Sequence, residues 1–129
     1  MATIQNFEDL EIWQLSRVLC SEIYTIISST PLKKDYKLKE QINGSSGSVM
    51  DNIAEGFERD GNKEFRQFLS IAKASCGETR SQLYRVLDRN YINDEKFEET
   101  KQLTVKIGNK IGSFMNYLKN NEFKGKKYR

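Results

Sequence analysis

Apolar residues recur every three or four positions along most of this chain, the period of helices with one buried face. Leu38, Ile42, Ser45, Val49, Ile53 and Phe57 form one such stripe. Phe65, Phe68, Leu69, Ala72, Cys76, Thr79, Leu83 and Val86 form a second, and Phe97, Thr100, Thr104, Ile107, Ile111, Phe114 and Leu118 a third that is nearly a heptad. Upstream the pattern is doubled. Phe7, Leu10, Trp13, Cys20, Tyr24 and Ile27 lie beside Ile12, Leu15, Leu19, Ile23 and Ile26. A face this wide places the helix deep in a bundle or leaves part of it for another subunit.

Three interruptions divide the pattern. Pro31 ends the first helix, because proline disfavours a helical residue before it and has no amide proton. Asp60-Gly61 makes a turn, and a short link holds Asn90 and Asn93. The spacing thus predicts helices over about Phe7–Ser29, Tyr36–Glu58, Lys63–Arg89 and Asp94–Asn120, with Asn6 and Asn62 capping the first and third. Short links between long helices predict an all-α fold, an antiparallel up-down-up-down four-helix bundle over 1–120 with a basic tail at 121–129.

Within the second helix, Gly44-Ser45-Ser46-Gly47-Ser48 is locally poor for helix, each glycine costing about 1 kcal/mol against alanine. The apolar period runs through it, so it reads as helix; a loop splitting the segment is the alternative. The third helix has a similar centre of small residues, Ala72, Ala74, Ser75, Cys76 and Gly77, which predicts close packing of the two.

The second helix closes with Asn52-Ile53-Ala54-Glu55-Gly56, an amide and a carboxylate three residues apart beside an apolar side chain. Asn52, Glu55, Ser75 and Glu78 are expected to meet across the second and third helices as a structural polar cluster that fixes register. The other reading is chemical, two carboxylates that share a proton or a metal, but no third strong ligand accompanies them.

The chain has no histidine, which removes Ser-His and Cys-His pairs, the commonest general base and imidazole ligands. No phosphate-binding loop is present, since Gly44 and Gly47 are not followed by the Lys-Ser/Thr that such a loop needs. No enzyme activity, metal or cofactor is expected. Cys20 and Cys76 read as buried thiols rather than a disulfide. With no signal-peptide pattern in residues 1–30 and no stretch apolar enough to span a bilayer, the chain is expected in the cytoplasm.

With these motifs in place, the chain resembles the small four-helix-bundle proteins encoded in intervening sequences of bacterial large-subunit ribosomal RNA. That group is similar to the accessory variability protein of diversity-generating retroelements. The resemblance covers roughly Phe7 to Leu118. It is carried by Phe7-x-x-Leu10-x-x-Trp13, Leu38 with Gln41-Ile42, and Ser48-Val49-x-x-Asn52-Ile53-Ala54-Glu55-Gly56. Phe65-x-x-Phe68-Leu69-x-Ile71-Ala72, Ser75-x-x-Glu78 and Tyr91-Ile92 follow in order. The resemblance implies an antiparallel bundle assembling into a ring-shaped homopentamer, and a nucleic-acid setting. The retroelement relatives bind a reverse transcriptase and nucleic acid through a basic surface. This chain departs where relatives often carry basic residues after the second-helix glutamine, having Asn43-Gly44 instead, and Ala74 stands where glycine is common.

Charge adds one further clue. The formal balance is only +3, yet Lys110 to Arg129 holds six basic residues against Glu122, a local +5 that leaves −2 for the other 109 residues. Lys124, Lys126, Lys127 and Arg129 make the tail basic, with Phe123 and Tyr128 available for stacking; it binds phosphates or merely keeps the end soluble. On the third helix Arg66, Lys73 and Arg80 stand seven apart, bordered by Lys63, and so share a face with a drift of about 20° per heptad. That strip follows a phosphate backbone, or it is a solvated face paired with acidic neighbours. The expected function is a non-catalytic nucleic-acid-associated binding or scaffold protein acting as a ring-shaped homo-oligomer, with RNA or DNA as ligand. The alternative is an adaptor that docks a partner helix or polymerase, such as a reverse transcriptase, without touching nucleic acid.

Overall fold

Four long helices carry the chain in the computed structural model, which describes residues 4–121: α1 (Glu11–Ser29), α2 (Tyr36–Glu58), α3 (Asn62–Asp88) and α4 (Asp94–Asn120). The basic tail from residue 122 onward lies outside the described residues. Contacts between neighbouring helices run in opposite order along the chain. Ser45 meets Gln82 while Ser48 meets Ser75, Asn62 meets Leu118 while Tyr84 meets Phe97, and Glu11 pairs with Lys110 while Glu22 pairs with Lys96. Neighbours are therefore antiparallel, and the helices form an up-down-up-down four-helix bundle.

The second and fourth helices follow the apolar period as expected. Helix α2 continues unbroken through Gly44 to Ser48. Its small residues meet those of α3 as expected, through Ser45 with Thr79 and Ser48 with Ser75, but its central glycines are not the points of contact. Among the described residues nothing lies within 4 Å of where a Cβ would stand on Gly44 or Gly47, whereas Ser45 and Ser46 are buried. The close approach lies lower, at Gly56, where a Cβ would stand 2.8 Å from the Cβ of Phe68 and 2.9 Å from the Phe65 ring. The polypeptides meet there because Gly56 has no side chain.

The first and third helices begin differently from expectation. Phe7–Asp9 is a single 3-10 turn, closed by the Asp9 carboxylate accepting from the Asn6 amide at 3.2 Å. Leu10 is extended, at φ −78° and ψ 127°, and buries its side chain in the core before α1 starts at Glu11. Burial of Leu10 outweighs continuity of the helix. At the other end, Asn62 does not cap α3; Gly61, at φ 85°, occupies that position. The Asn62 side chain instead donates to the carbonyls of Leu118 at 3.1 Å and Asn121 at 2.9 Å, satisfying acceptors that the last turn of α4 leaves open.

The link from α3 to α4 explains the placement of Tyr91. Asn90 adopts φ 59°, its amide donates to Leu87 O, and the Tyr91 amide reaches back to Val86 O. This is the left-handed helix stop with paired backbone bonds, for which Asn is the usual substitute for Gly. Asn93 then caps α4 by accepting from the Lys96 amide at 2.8 Å.

The core is continuous from end to end. Leu19, Ile23, Ile42, Val49, Ile53, Phe65, Leu69, Leu83, Ile107 and Ile111 have no measurable exposure. Phe65 is braced edge-on by Phe57 and Phe114. Of the two α1 stripes, the one led by Ile12 is buried apart from half-buried Leu15. The other is mixed: Leu10 and Ile27 are inside, Trp13 and Cys20 are half-buried, and Tyr24 is 68% exposed. Cys20 and Cys76 are both free thiols.

Candidate functional site

The basic strip of α3 does not point into open solvent at the far side of its helix; it follows the seam with α4. The Lys73 stem crosses α4 at Gly112, so that a Cβ there would be 3.4 Å from Lys73 Cε. Asn62, eleven residues earlier, bonds to the end of α4, and Tyr84, eleven residues later, packs at 4.8 Å on Phe97. Eleven residues is about three turns, so these three contacts mark the line on which α3 meets α4. Arg66 and Arg80 lie within about 20° of that line.

The expected counter-charges are missing there. Among the described residues Lys63, Arg66, Lys73 and Arg80 form no ion pair, although cations elsewhere do. Lys96 binds Glu22, Lys110 lies 3.2 Å from Glu11, and Arg59 lies 3.5 Å from Glu55. Arg66 Nε is buried and has no hydrogen-bond partner among the described residues. At the far end of the seam α4 contributes Lys101, its Nζ 5.8 Å from the Tyr84 ring centre and 5.9 Å from that of Phe97. Among the described residues Lys101 is ion-paired only within its own helix, with Glu98 at 3.8 Å. Among the described residues the line of α3 cations between the two helices thus carries positive charge that no acidic side chain neutralises. The tail residues Lys124, Lys126, Lys127 and Arg129 lie outside the described residues.

The polar cluster between α2 and α3 has different members from those expected. Asn52 and Ser75 are brought together through Ser48. Ser48 Oγ lies 2.9 Å from Ser75 Oγ, and Asn52 Nδ2 donates to both the hydroxyl and the carbonyl of Ser48. One turn away, Ser45 donates to Gln82 Oε1 at 2.6 Å, and Thr79 Oγ1 is 2.8 Å from Ser45 and 2.9 Å from the Ser75 carbonyl. Glu78 is at the exposed margin, accepting from Gln82 at 3.4 Å. Glu55 lies outside the cluster altogether. The buried stripe of α2 runs through Ile53, Gly56 and Phe57, which turns Glu55 to solvent beside Arg59. The signal for Ser45 and Thr79 was present, as hydroxyl residues at positions of the apolar period.

A second group went unnoticed in the sequence. Asp35 accepts from the Tyr91 hydroxyl at 2.9 Å and from the Arg89 guanidinium, tying the start of α2 to the end of α3. The Tyr91 hydroxyl, and then Arg89, hold the Asp35 carboxyl below its ordinary range. Neither cysteine is prepared for chemistry. Burial pushes the Cys76 thiol up to about 12, against the nearby charges of Arg80 and Lys73. Burial, with the Asp51 charge, also raises Cys20, whose thiol lies against the Ser46 carbonyl. Among the described residues no group of three or more Cys, Asp or Glu is placed to hold a metal ion, and no helix is long and apolar enough to cross a membrane.

The outer side of α1 carries two shallow grooves that share Val18, which is 48% exposed. One, of about 320 Å³, lies between α1 and α4 and is lined by Val18, Glu22, Thr100, Leu103 and Lys106 among others; the second, of about 340 Å³, runs from Trp13 to Ser21.

Comparison with known proteins places this geometry in context. The model of a family described as 23S rRNA-intervening sequence protein matches residues 8–113. Among solved structures, the chain is similar to a protein of unknown function from the S23 ribosomal protein family of Bacteroides thetaiotaomicron. The TM-score is 0.73 at 22% identity, over 81% of this chain and 97% of that one. At that identity the likeness speaks for the fold alone. No curated protein matches the chain.

Proposed function

This chain belongs to the family of 23S rRNA-intervening sequence proteins, and from that premise we propose that it is a non-catalytic protein that binds nucleic-acid phosphates along the α3–α4 seam. The observation that carries the reading is the line Arg66, Lys73 and Arg80, uncompensated among the described residues and joined by Lys101 from α4. Phosphates supply the missing counter-charges, and binding draws its affinity from released counterions rather than base reading. A homo-oligomer, the ring of five that the resemblance implies, repeats this seam and raises the effective concentration of weak sites on one strand. The half-exposed Trp13, Leu15 and Val18 offer the apolar surface for such assembly. The tail, through Lys124, Lys126, Lys127 and Arg129, adds charge to the same ligand.

A second reading follows from the grooves beside Val18, whose walls are mostly apolar: an adaptor that seats a partner's helix between α1 and α4, a polymerase such as a reverse transcriptase included. Salt titration of binding to structured RNA and duplex DNA, with particle mass followed in the same samples, separates the two. Affinity that falls steeply with salt, and falls further in the Arg66→Gln, Lys73→Gln, Arg80→Gln triple variant, supports the first reading. An assembled protein that binds neither nucleic acid at low salt refutes it and directs attention to Val18.

A further inference from the structure

We infer that the α3–α4 seam takes a single-stranded nucleic acid in preference to a duplex, with the Tyr84 ring as the platform on which a base stacks; this deepens the phosphate-binding reading and rests on it. Arg66, Lys73, Arg80 and Tyr84 lie on one line of α3. The line spans about 27 Å, with successive cations rising about 10.5 Å. Arg66 and Arg80 are half-buried, and exposed Lys73 runs its stem along α4. The Lys73 stem rests against Gly112, and among the described residues the buried Arg66 Nε has no partner. To reach charges set between two helices, a backbone must follow the seam closely. A duplex, stiff over roughly 50 nm, touches only the crests, whereas a flexible single strand can lie along the line.

The end of the line distinguishes this surface from a purely electrostatic one. Tyr84 is 44% exposed, large and aromatic on an otherwise charged strip. It packs on Phe97 with the rings 66° apart, and Lys101 Nζ lies 5.8 Å from its centre. The ring is thus held in place before any ligand arrives, with exposed surface left for a base. Cations following a backbone and an aromatic face beside them are the combination by which single strands are held without sequence selection. Gly77 and Gly108 keep both walls low: among the described residues, nothing stands within 4 Å of either missing Cβ.

The test uses the full chain and fluorescence anisotropy at low salt, with labelled oligouridylate of about 20 nucleotides and its duplex with oligoadenylate as probes. Tyr84→Leu keeps apolar packing on Phe97 but removes the stacking face; Tyr84→Phe restores that face. The expected result is tighter binding of the single strand, a loss of about tenfold for Tyr84→Leu on that probe alone, and full rescue by Tyr84→Phe. Melting curves verify that the variants are folded. Equal affinity for both probes, or a Tyr84→Leu protein that binds like the parent while the triple glutamine variant does not, overturns the single-strand inference and leaves phosphate binding intact. Equal capture of polyglutamate, indifferent to Tyr84, overturns it in favour of an acidic protein partner. A parent protein that binds neither probe removes both proposals together.

Discussion

Adding one methyl group should have opposite effects at two points of α2. At Gly56 a new Cβ meets Phe68 Cβ at 2.8 Å, Phe65 Cδ1 at 2.9 Å and the Phe65 carbonyl at 3.3 Å. Two of these neighbours are backbone or the first side-chain atom, which cannot swing aside, so α2 and α3 must separate. Overpacking of this kind costs about 1–3 kcal/mol, and alanine returns about 1 kcal/mol in helix propensity. With the obstruction at backbone level the upper part of that range applies, and Gly56→Ala should lose about 1–2 kcal/mol net. Gly44→Ala meets no described atom within 4 Å and should gain close to the full propensity difference, about 1 kcal/mol. Urea unfolding followed by circular dichroism measures both variants, with an unchanged slope showing that only stability has moved. A Gly56→Ala protein as stable as the parent would show that helix spacing is not what Gly56 provides, and a weaker Gly44→Ala protein would show that Gly44 does not face open space.

Four further outcomes concern the polar groups. The Asp35 carboxyl has its folded value depressed by Tyr91 and Arg89, so its contribution is present above the unfolded carboxylate value of about 3.9 and is lost as pH falls through the lower folded value. Asp35→Asn should therefore flatten the acid limb of stability against pH, and parallel curves for parent and variant below about pH 4 would contradict the link. Thr79→Val removes a buried hydroxyl beside Ser45 and should cost about 1–2 kcal/mol, whereas Glu55→Ala, at an exposed position, should shift stability by less than about 0.5 kcal/mol in the same urea assay. Cys76, with its thiol pushed up to about 12, should react with a disulfide reagent near neutral pH only as fast as the bundle opens; modification at the rate of a free thiol would exclude that burial.

What the residues revealed depended on whether neighbours had a deciding vote. Helices α2 and α4 were legible because their apolar period is unbroken, and in α2 that period outweighs the loop that Gly44 to Ser48 would otherwise favour. The start of α1 was not, since Asn6 and Asp9 suit a helix cap and a closed turn equally, and burial of Leu10 in the core chooses between them. Asn62 has the right chemistry for a cap, but the same amide serves the open carbonyls of α4. The carboxylate of Glu55 drew attention because carboxylates suggest chemistry, while the telling residues were the quieter Ser45 and Thr79, hydroxyls on apolar stripes. Heptad spacing made Arg66, Lys73 and Arg80 one strip; only packing could show that the strip lies over α4. Asp35 and Tyr91, 56 residues apart, share no local pattern that announces their bond.

A last prediction separates what the strip contributes to folding from what it does. Neighbouring charges about 10.5 Å apart repel by about 0.4 kcal/mol in water, and physiological salt, with a Debye length of about 8 Å, reduces that further. Repulsion along the line is thus a small cost. The larger one is Arg66, whose buried Nε has no acceptor among the described residues, an arrangement that costs about 1–3 kcal/mol when a donor loses its water without replacement. Arg66→Met keeps the length and apolar stem of the side chain while removing the donor, so it should raise stability, by about 1 kcal/mol once lost packing is allowed for. The same substitution should weaken binding to the uridylate probe and lower its salt dependence by close to one phosphate contact. A residue that costs the fold and serves a ligand moves the two measurements in opposite directions. If Arg66→Met instead destabilises the bundle, Arg66 is a structural residue, and the case for phosphate binding must rest on Lys73, Arg80 and Lys101.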